Sequence, residues 1–260
     1  MDIIKKYLTN GQYLTTLYEK FSIFIHHTVG TTADSAWRWW NSTPDRVGTA
    51  YVIDRDGTII ECFDPTMWAY HLGIKNDDNY WEKHSINIEL VSAGGIIREG
   101  IKYRFYPLWP NTLRYTNIPT NEVFEMSKLW RGYIYFHNYS EDQLDALKWL
   151  IGKLSVDFSS LKLDNNLDNF WEYNEKIVTD HLHGIWSHSS VRKDKSDIFP
   201  YPPLIEALKE VQSEIMGLKM IKEPEEIKKV EPRGEATVVV PKSDKKSKVG
   251  VSGKSKKPKS

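Results

Sequence analysis

One stretch constrains this chain more than any other: Phe21-Ser22-Ile23-Phe24-Ile25-His26-His27. It is short, apolar and rich in β-branched and aromatic residues, which is the pattern of a buried strand. A lone histidine at the end of such a strand is usually a satisfied core or turn residue. Two in succession raise the question of a task, because a buried polar group costs free energy unless it is partnered.

The segments around this run alternate between strand and helix. Val29-Gly30-Thr31-Thr32 reads as a turn that offers an N-cap, and Ala33 to Trp40 as a helix. Val47 to Asp54 reads as a second strand. Arg55-Asp56-Gly57-Thr58 is a hairpin turn with glycine where positive φ is needed, and Thr58 to Phe63 is the return strand. Ser85 to Val91 is a fourth strand. Ser140-Glu141-Asp142-Gln143 resembles a capping box, followed by a helical stripe at Leu144, Leu147, Leu150, Ile151 and Leu154. Leu182 to His188 is extended, and a last helix runs from Leu204 to about Leu218. The expected class is α/β, a mixed central β-sheet flanked by helices.

The expected organisation has three parts. Residues 1–20 are a polar-amphipathic lead-in, 21–220 a single folded domain, and 221–260 a disordered Lys-rich tail. Within the domain, about 94–139 is aromatic and Pro-studded without a clear period, and reads as a long insertion. After Met220 tryptophan, tyrosine and phenylalanine vanish, so this part cannot bury enough surface to fold alone.

The formal net charge is zero but unevenly placed. Pro241 to Ser260 holds eight Lys and one Asp, near +7, which leaves the rest near −7. Such a tail is expected to attract anionic polymers or phospholipid headgroups weakly and in a salt-sensitive way. The single Cys62 cannot form an internal disulfide. No apolar run approaches the ~20 residues of a membrane span, and Met1 to Leu8 lacks a signal-peptide core. The expectation is a protein made and kept in the cytoplasm unless another factor releases it.

His26, His188 and Asp197 offer two imidazoles and one carboxylate. A catalytic zinc uses three protein ligands and keeps a fourth position for water, whereas a closed structural site takes four ligands, usually with cysteine. The trio therefore points to metal-assisted hydrolysis. From the residues alone, His27, His181, His183 and Asp194 compete for the same duties. Glu89 lies mid-strand among Ile86, Ile88, Leu90 and Val91, where a carboxylate needs a partner or a task.

Five segments, in order, resemble the type 2 N-acetylmuramoyl-L-alanine amidases. This group includes amidase-type phage endolysins and the peptidoglycan recognition proteins. The segments are Phe24-Ile25-His26-His27-Thr28, the hairpin Val47 to Ile59, Trp68-Ala69-Tyr70-His71-Leu72-Gly73, Ser85-Ile86-Asn87-Ile88-Glu89-Leu90, and His188 with Lys195-Ser196-Asp197. Each is weak alone, and five in order are specific. The chain departs from relatives in having Ile198-Phe199-Pro200 where many have Pro-Gly-Pro, and Thr49 where some have a catalytic tyrosine.

The resemblance implies an amidase/peptidoglycan recognition protein-like domain that holds Zn²⁺ with His26, His188 and Asp197. It implies catalytic roles for Glu89 as proton carrier, Lys195 as oxyanion stabiliser and His71 as an assisting group. The implied substrate is bacterial peptidoglycan, cut between N-acetylmuramic acid and L-alanine. The implied setting is a phage endolysin in the host cytoplasm before release to the cell wall. The competing reading is a non-catalytic peptidoglycan-binding recognition domain, whose mark would be a missing ligand or a missing glutamate.

Overall fold

The computed structural model describes residues 1–75, 77–106 and 115–222, and the side chains only as far as 217 at the C-terminal end. The sequence-based reading of 221–260 as disordered falls almost wholly outside the described residues.

In chain order the elements are β1 (Ile3–Lys5), β2 (Ser22–His27), α1 (Ala33–Ser42), β3 (Tyr51–Ile53), β4 (Ile59–Glu61), α2 (Tyr80–His84) and β5 (Ser85–Leu90). Then come β6 (Gly95–Glu99), β7 (Lys102–Phe105), β8 (Thr116–Ile118), β9 (Val123–Trp130) and β10 (Tyr133–His137). The chain continues with α3 (Glu141–Asp157), α4 (Glu175–Thr179), β11 (Ile185–Ser187), α5 (His188–Val191) and α6 (Pro202–Lys222).

The main sheet has the order β1-β4-β3-β5-β2-β11. Strands β3, β5, β2 and β11 run parallel, and β4 returns antiparallel to β3 through the Gly57 turn, where φ is +80°. The mixed sheet matches the α/β expectation. All six residues of β2 are buried, because this strand sits between β5 and β11 with both faces covered. Alternation then divides its side chains. Ile23 and Ile25 join the large core with Leu147, Leu150, Leu154 and Leu208 of α3 and α6. Phe24 faces the other way, into a smaller core with Leu72, Trp81, Ile177, Trp186 and Val191.

Ser140 caps α3 as its sequence indicates. Its Oγ accepts from the Gln143 N–H at 3.2 Å, and Gln143 Oε1 accepts from the Ser140 N–H at 3.1 Å. The same glutamine donates to the carbonyls of Ile53 and Val91, which ties the helix start to two strand ends.

Two segments carry more structure than their sequence patterns suggest. Ile3–Lys5, in the lead-in, pairs in parallel with Ile59–Glu61 and forms one edge of the main sheet. The aperiodic 94–139 segment folds into a second, antiparallel sheet of order β8-β7-β6-β10-β9. Its hairpin turn reaches the loop before Asp197, where Arg131 donates to the Lys193 carbonyl. Residues 107–114 of this segment lie outside the described residues.

Candidate active site

Sites in sheets of this kind gather beyond the carboxyl ends of parallel strands. Here His26 lies at that end of β2, Glu89 at that end of β5, and His188 directly after β11. The backbone turns into α5 at His188, with Ser187 Oγ capping the Ser190 N–H. Phe24 and His26 share one strand face, so His26 stands on the side of the smaller core.

Three donor atoms converge there. His26 Nδ1 lies 3.2 Å from His188 Nδ1 and 3.2 Å from Asp197 Oδ2, and His188 Nδ1 lies 3.1 Å from the same oxygen. Both imidazoles are buried. Burial above all lowers the His26 pKa to about 4, so the ring is held neutral. His188 Nε2 lies 3.0 Å from the Leu72 carbonyl oxygen, which can only accept. Nε2 therefore carries a proton, and Nδ1 is the nitrogen turned toward His26 and Asp197. Lone pairs crowded at this distance repel unless a cation or proton sits among them.

His71 stands behind this cluster. Its Nδ1 lies 3.3 Å from His26 Nε2, the nitrogen turned away from Asp197, and its Nε2 lies 3.4 Å from Ser85 Oγ. Burial first, then the neighbouring imidazoles, push its pKa well down. Its geometry is that of a group orienting the His26 ring, rather than one standing at the reacting atoms.

Glu89 is the register partner of His26, and one of its carboxylate oxygens, Oε2, is buried without a hydrogen-bond partner. Burial, and secondarily the charge of Asp197, raise its pKa well above the usual carboxylate range, while Lys195 pulls it back. Lys195 is half-buried, and its charge is felt at both Glu89 and His26.

The competing residues are occupied elsewhere. His27 points to the opposite face, with Nδ1 2.9 Å from the Tyr139 hydroxyl. A Cβ on Gly94 would fall 2.6 Å from His27 Nε2, so glycine is what lets this ring pack on the chain. His183 lies before the other end of β11, with Nδ1 3.1 Å from Ser22 Oγ. Asp194 pairs with Arg192 at 2.9 Å. Among the described residues, His26, His188 and Asp197 are the one group of three or more histidine, cysteine or acidic side chains placed to hold a metal ion.

Sequence reading missed the shell behind these three side chains. The Leu72 carbonyl, Arg192 and the buried Glu82 all bear on His188 or its support. A backbone carbonyl carries no side-chain signal, and Glu82, next to Trp81 and Lys83, looks like an ordinary helix residue.

The family model for N-acetylmuramoyl-L-alanine amidases matches residues 21–202. The chain belongs to that family. The matched span contains every residue of the cluster, together with Glu89, His71 and Lys195. No significant match to a curated protein was found. Solved structures similar to this amidase-family chain include a Staphylococcus aureus hydrolase, AmiA, in complex with its ligand. It is 12% identical with a TM-score of 0.48, over 84% of this chain and 86% of that one. The catalytic domain of XlyA is 14% identical with a TM-score of 0.45, over 83% and 99%. The amidase LysC from Clostridium intestinale URNW is 13% identical with a TM-score of 0.41, over 83% and 98%.

Proposed function

We propose that this protein is a zinc-dependent amidase that hydrolyses the bond between the lactyl group of N-acetylmuramic acid and L-alanine in peptidoglycan. The observation that carries the reading is the convergence of two imidazole nitrogens and one carboxylate oxygen within 3.2 Å of one another, beside a half-buried glutamate whose Oε2 is buried without a partner. Two nitrogens and one oxygen suit zinc, and three protein ligands leave one position open. His26, His188 and Asp197 would hold the ion. When bound, zinc acidifies a water toward a pKa of about 7 and polarises the scissile carbonyl.

The rest of the chemistry falls to the chain. An amide resists hydrolysis because water is a weak nucleophile and the amine a poor leaving group. Glu89, its pKa raised by burial, takes the proton from the attacking water and delivers it to the departing L-alanine nitrogen. Lys195 places a positive charge where the carbonyl oxygen becomes negative, and loss of one such donor typically costs about 10²–10³ in rate. His71 keeps the His26 ring turned so that Nδ1 faces His188 and Asp197. A recognition domain without turnover is the weaker reading, because all three candidate ligands and the glutamate are present.

In biological terms we read the protein as a phage endolysin, held in the host cytoplasm until it is released to the cell wall. Mass spectrometry of digested peptidoglycan tests the activity. Free stem peptides with an N-terminal L-alanine are expected, whereas release of reducing sugars alone, or cuts within the stem, would overturn it.

A further inference from the structure

Glu82, on α2, is 1% exposed and takes no part in the chemistry described above. Its Oε1 accepts the Gly73 N–H at 3.0 Å, and its Oε2 is buried without a hydrogen-bond partner. The Gly73 N–H and the Leu72 carbonyl are the two ends of one peptide group. That carbonyl accepts from His188 Nε2 at 3.0 Å and from Arg192 Nη1 at 3.0 Å. In a trans peptide the N–H and C=O point in opposite directions. Glu82 and His188 therefore grip a single rigid plane from its two sides.

We propose that Glu82 is a positioning residue for His188, acting through the Leu72–Gly73 peptide group. Metal-ligating histidines usually donate their second nitrogen to a carboxylate or a carbonyl, which fixes the tautomer and the ring. Here the two are arranged in series: carboxylate, peptide, imidazole. An acceptor on the N–H fixes the peptide plane and polarises it, which makes the carbonyl a stronger acceptor for Nε2–H. His188 is then locked with Nδ1 free and aimed at the cluster.

The surroundings keep this peptide close to the site. Gly73 has φ +61°, and a Cβ on it would lie 2.8 Å from Arg192 Nη1, so the position needs glycine for both conformation and space. Burial first, then Asp77, push the Glu82 carboxyl up to about 7, and its hydrogen bond from Gly73 pulls it back. The contact survives either protonation state, because the unpartnered Oε2 can carry the proton while Oε1 still accepts.

This inference rests on the reading that the cluster holds zinc. It is tested on the full chain by measuring zinc affinity against a competing chelator, with melting of the metal-free protein alongside. Glu82→Met removes the acceptor and should weaken zinc binding about 10- to 100-fold. Glu82→Gln keeps an acceptor oxygen and should stay within a few-fold of wild type. In metal-free protein, nitrogen NMR should show His188 as the single Nε2–H tautomer in wild type and Glu82→Gln, and a mixture in Glu82→Met. A purely structural role would lower the melting temperature and leave affinity and tautomer alone. Wild-type affinity in Glu82→Met, or equal weakness in Glu82→Gln, overturns the inference. Should Glu82→Met fail to fold, Glu82→Asp decides, since it keeps the charge but withdraws the oxygen from Gly73. Weakening in the same range supports the relay, and wild-type affinity overturns it. A wild-type chain that binds no zinc takes down the functional reading and this inference together, whereas failure of the variants alone takes down only this one.

Discussion

His26 and Glu89 are register partners on adjacent parallel strands, so their side chains leave the sheet on the same face. One supplies a donor atom to the cluster, and the other is a carboxyl whose pKa burial has raised and whose Oε2 has no partner. Strand pairing thus sets the spacing between the place where water would be held and the group that would take its proton. Glu89→Gln keeps the size and shape of the side chain but cannot carry a proton. We expect zinc content to stay at the wild-type level and turnover to fall by about 10²–10⁴-fold. Near-normal turnover of purified wall fragments would move the base role to another residue.

The three ligands should behave as a set. His26→Ala, His188→Ala and Asp197→Ala should each lose bound zinc and activity. His27→Ala, His183→Ala and Asp194→Ala should keep most of the zinc, because those side chains meet Tyr139, Ser22 and Arg192 instead. Elemental analysis of the six purified variants checks this. Loss of metal in His183→Ala with retention in His188→Ala would reverse the assignment.

Much of the frame was legible in the sequence because burial imposes a pattern. Ile23 to Ile25 reads as continuous apolar chain since β2 is covered on both faces. Ser140 and Gln143 announce α3 because a cap needs those side chains at that spacing. The second sheet was not legible. Its strands leave Ile97 and Leu129 exposed, and a register shift between Tyr133 and Tyr135 breaks the alternation. Strand β1 is three residues long, too short for any period to show. At the site, His26, His188, Asp197 and Glu89 were visible as residue types that carry chemistry. The Leu72 carbonyl that orients His188 was not, since every residue carries a carbonyl.

The α3 cap should matter for stability, since it also ties two strand ends together. Ser140→Ala removes the side chain that accepts the Gln143 N–H, and should cost about 1 kcal/mol, within the usual range for an N-cap. Gln143→Leu should cost more, because it leaves the carbonyls of Ile53 and Val91 without their side-chain donor in a buried setting, a loss of about 1–3 kcal/mol. Urea denaturation of the two variants gives the order, and equal losses would show that the two carbonyl contacts add nothing.

Acid should also destabilise the fold at a histidine away from the cluster. His137 is 1% exposed and joins β10 to the segment after β5. Its Nδ1 accepts the Ala93 N–H at 3.0 Å, so the ring proton sits on Nε2, 2.9 Å from Glu122 Oε2. A proton on Nδ1 would face that N–H and break the contact. Burial first, then Arg55, lower the pKa of this imidazole, and Glu122 opposes them. The sign follows from linkage. The folded state binds this proton more weakly than the unfolded chain does, so stability rises with pH across the window. The contribution is complete above the ordinary histidine value of about 6.5, and it is lost as pH falls from there toward the lowered folded value. His137→Phe removes both hydrogen bonds and the titration. At pH 7.5 the variant should be less stable than wild type by about 1–3 kcal/mol. The gap should narrow as pH falls to 4.5, because the wild type loses a term that the variant never had. Parallel urea titrations at the two pH values measure it, and a constant gap would show that His137 binds its proton equally well in the folded and unfolded chains.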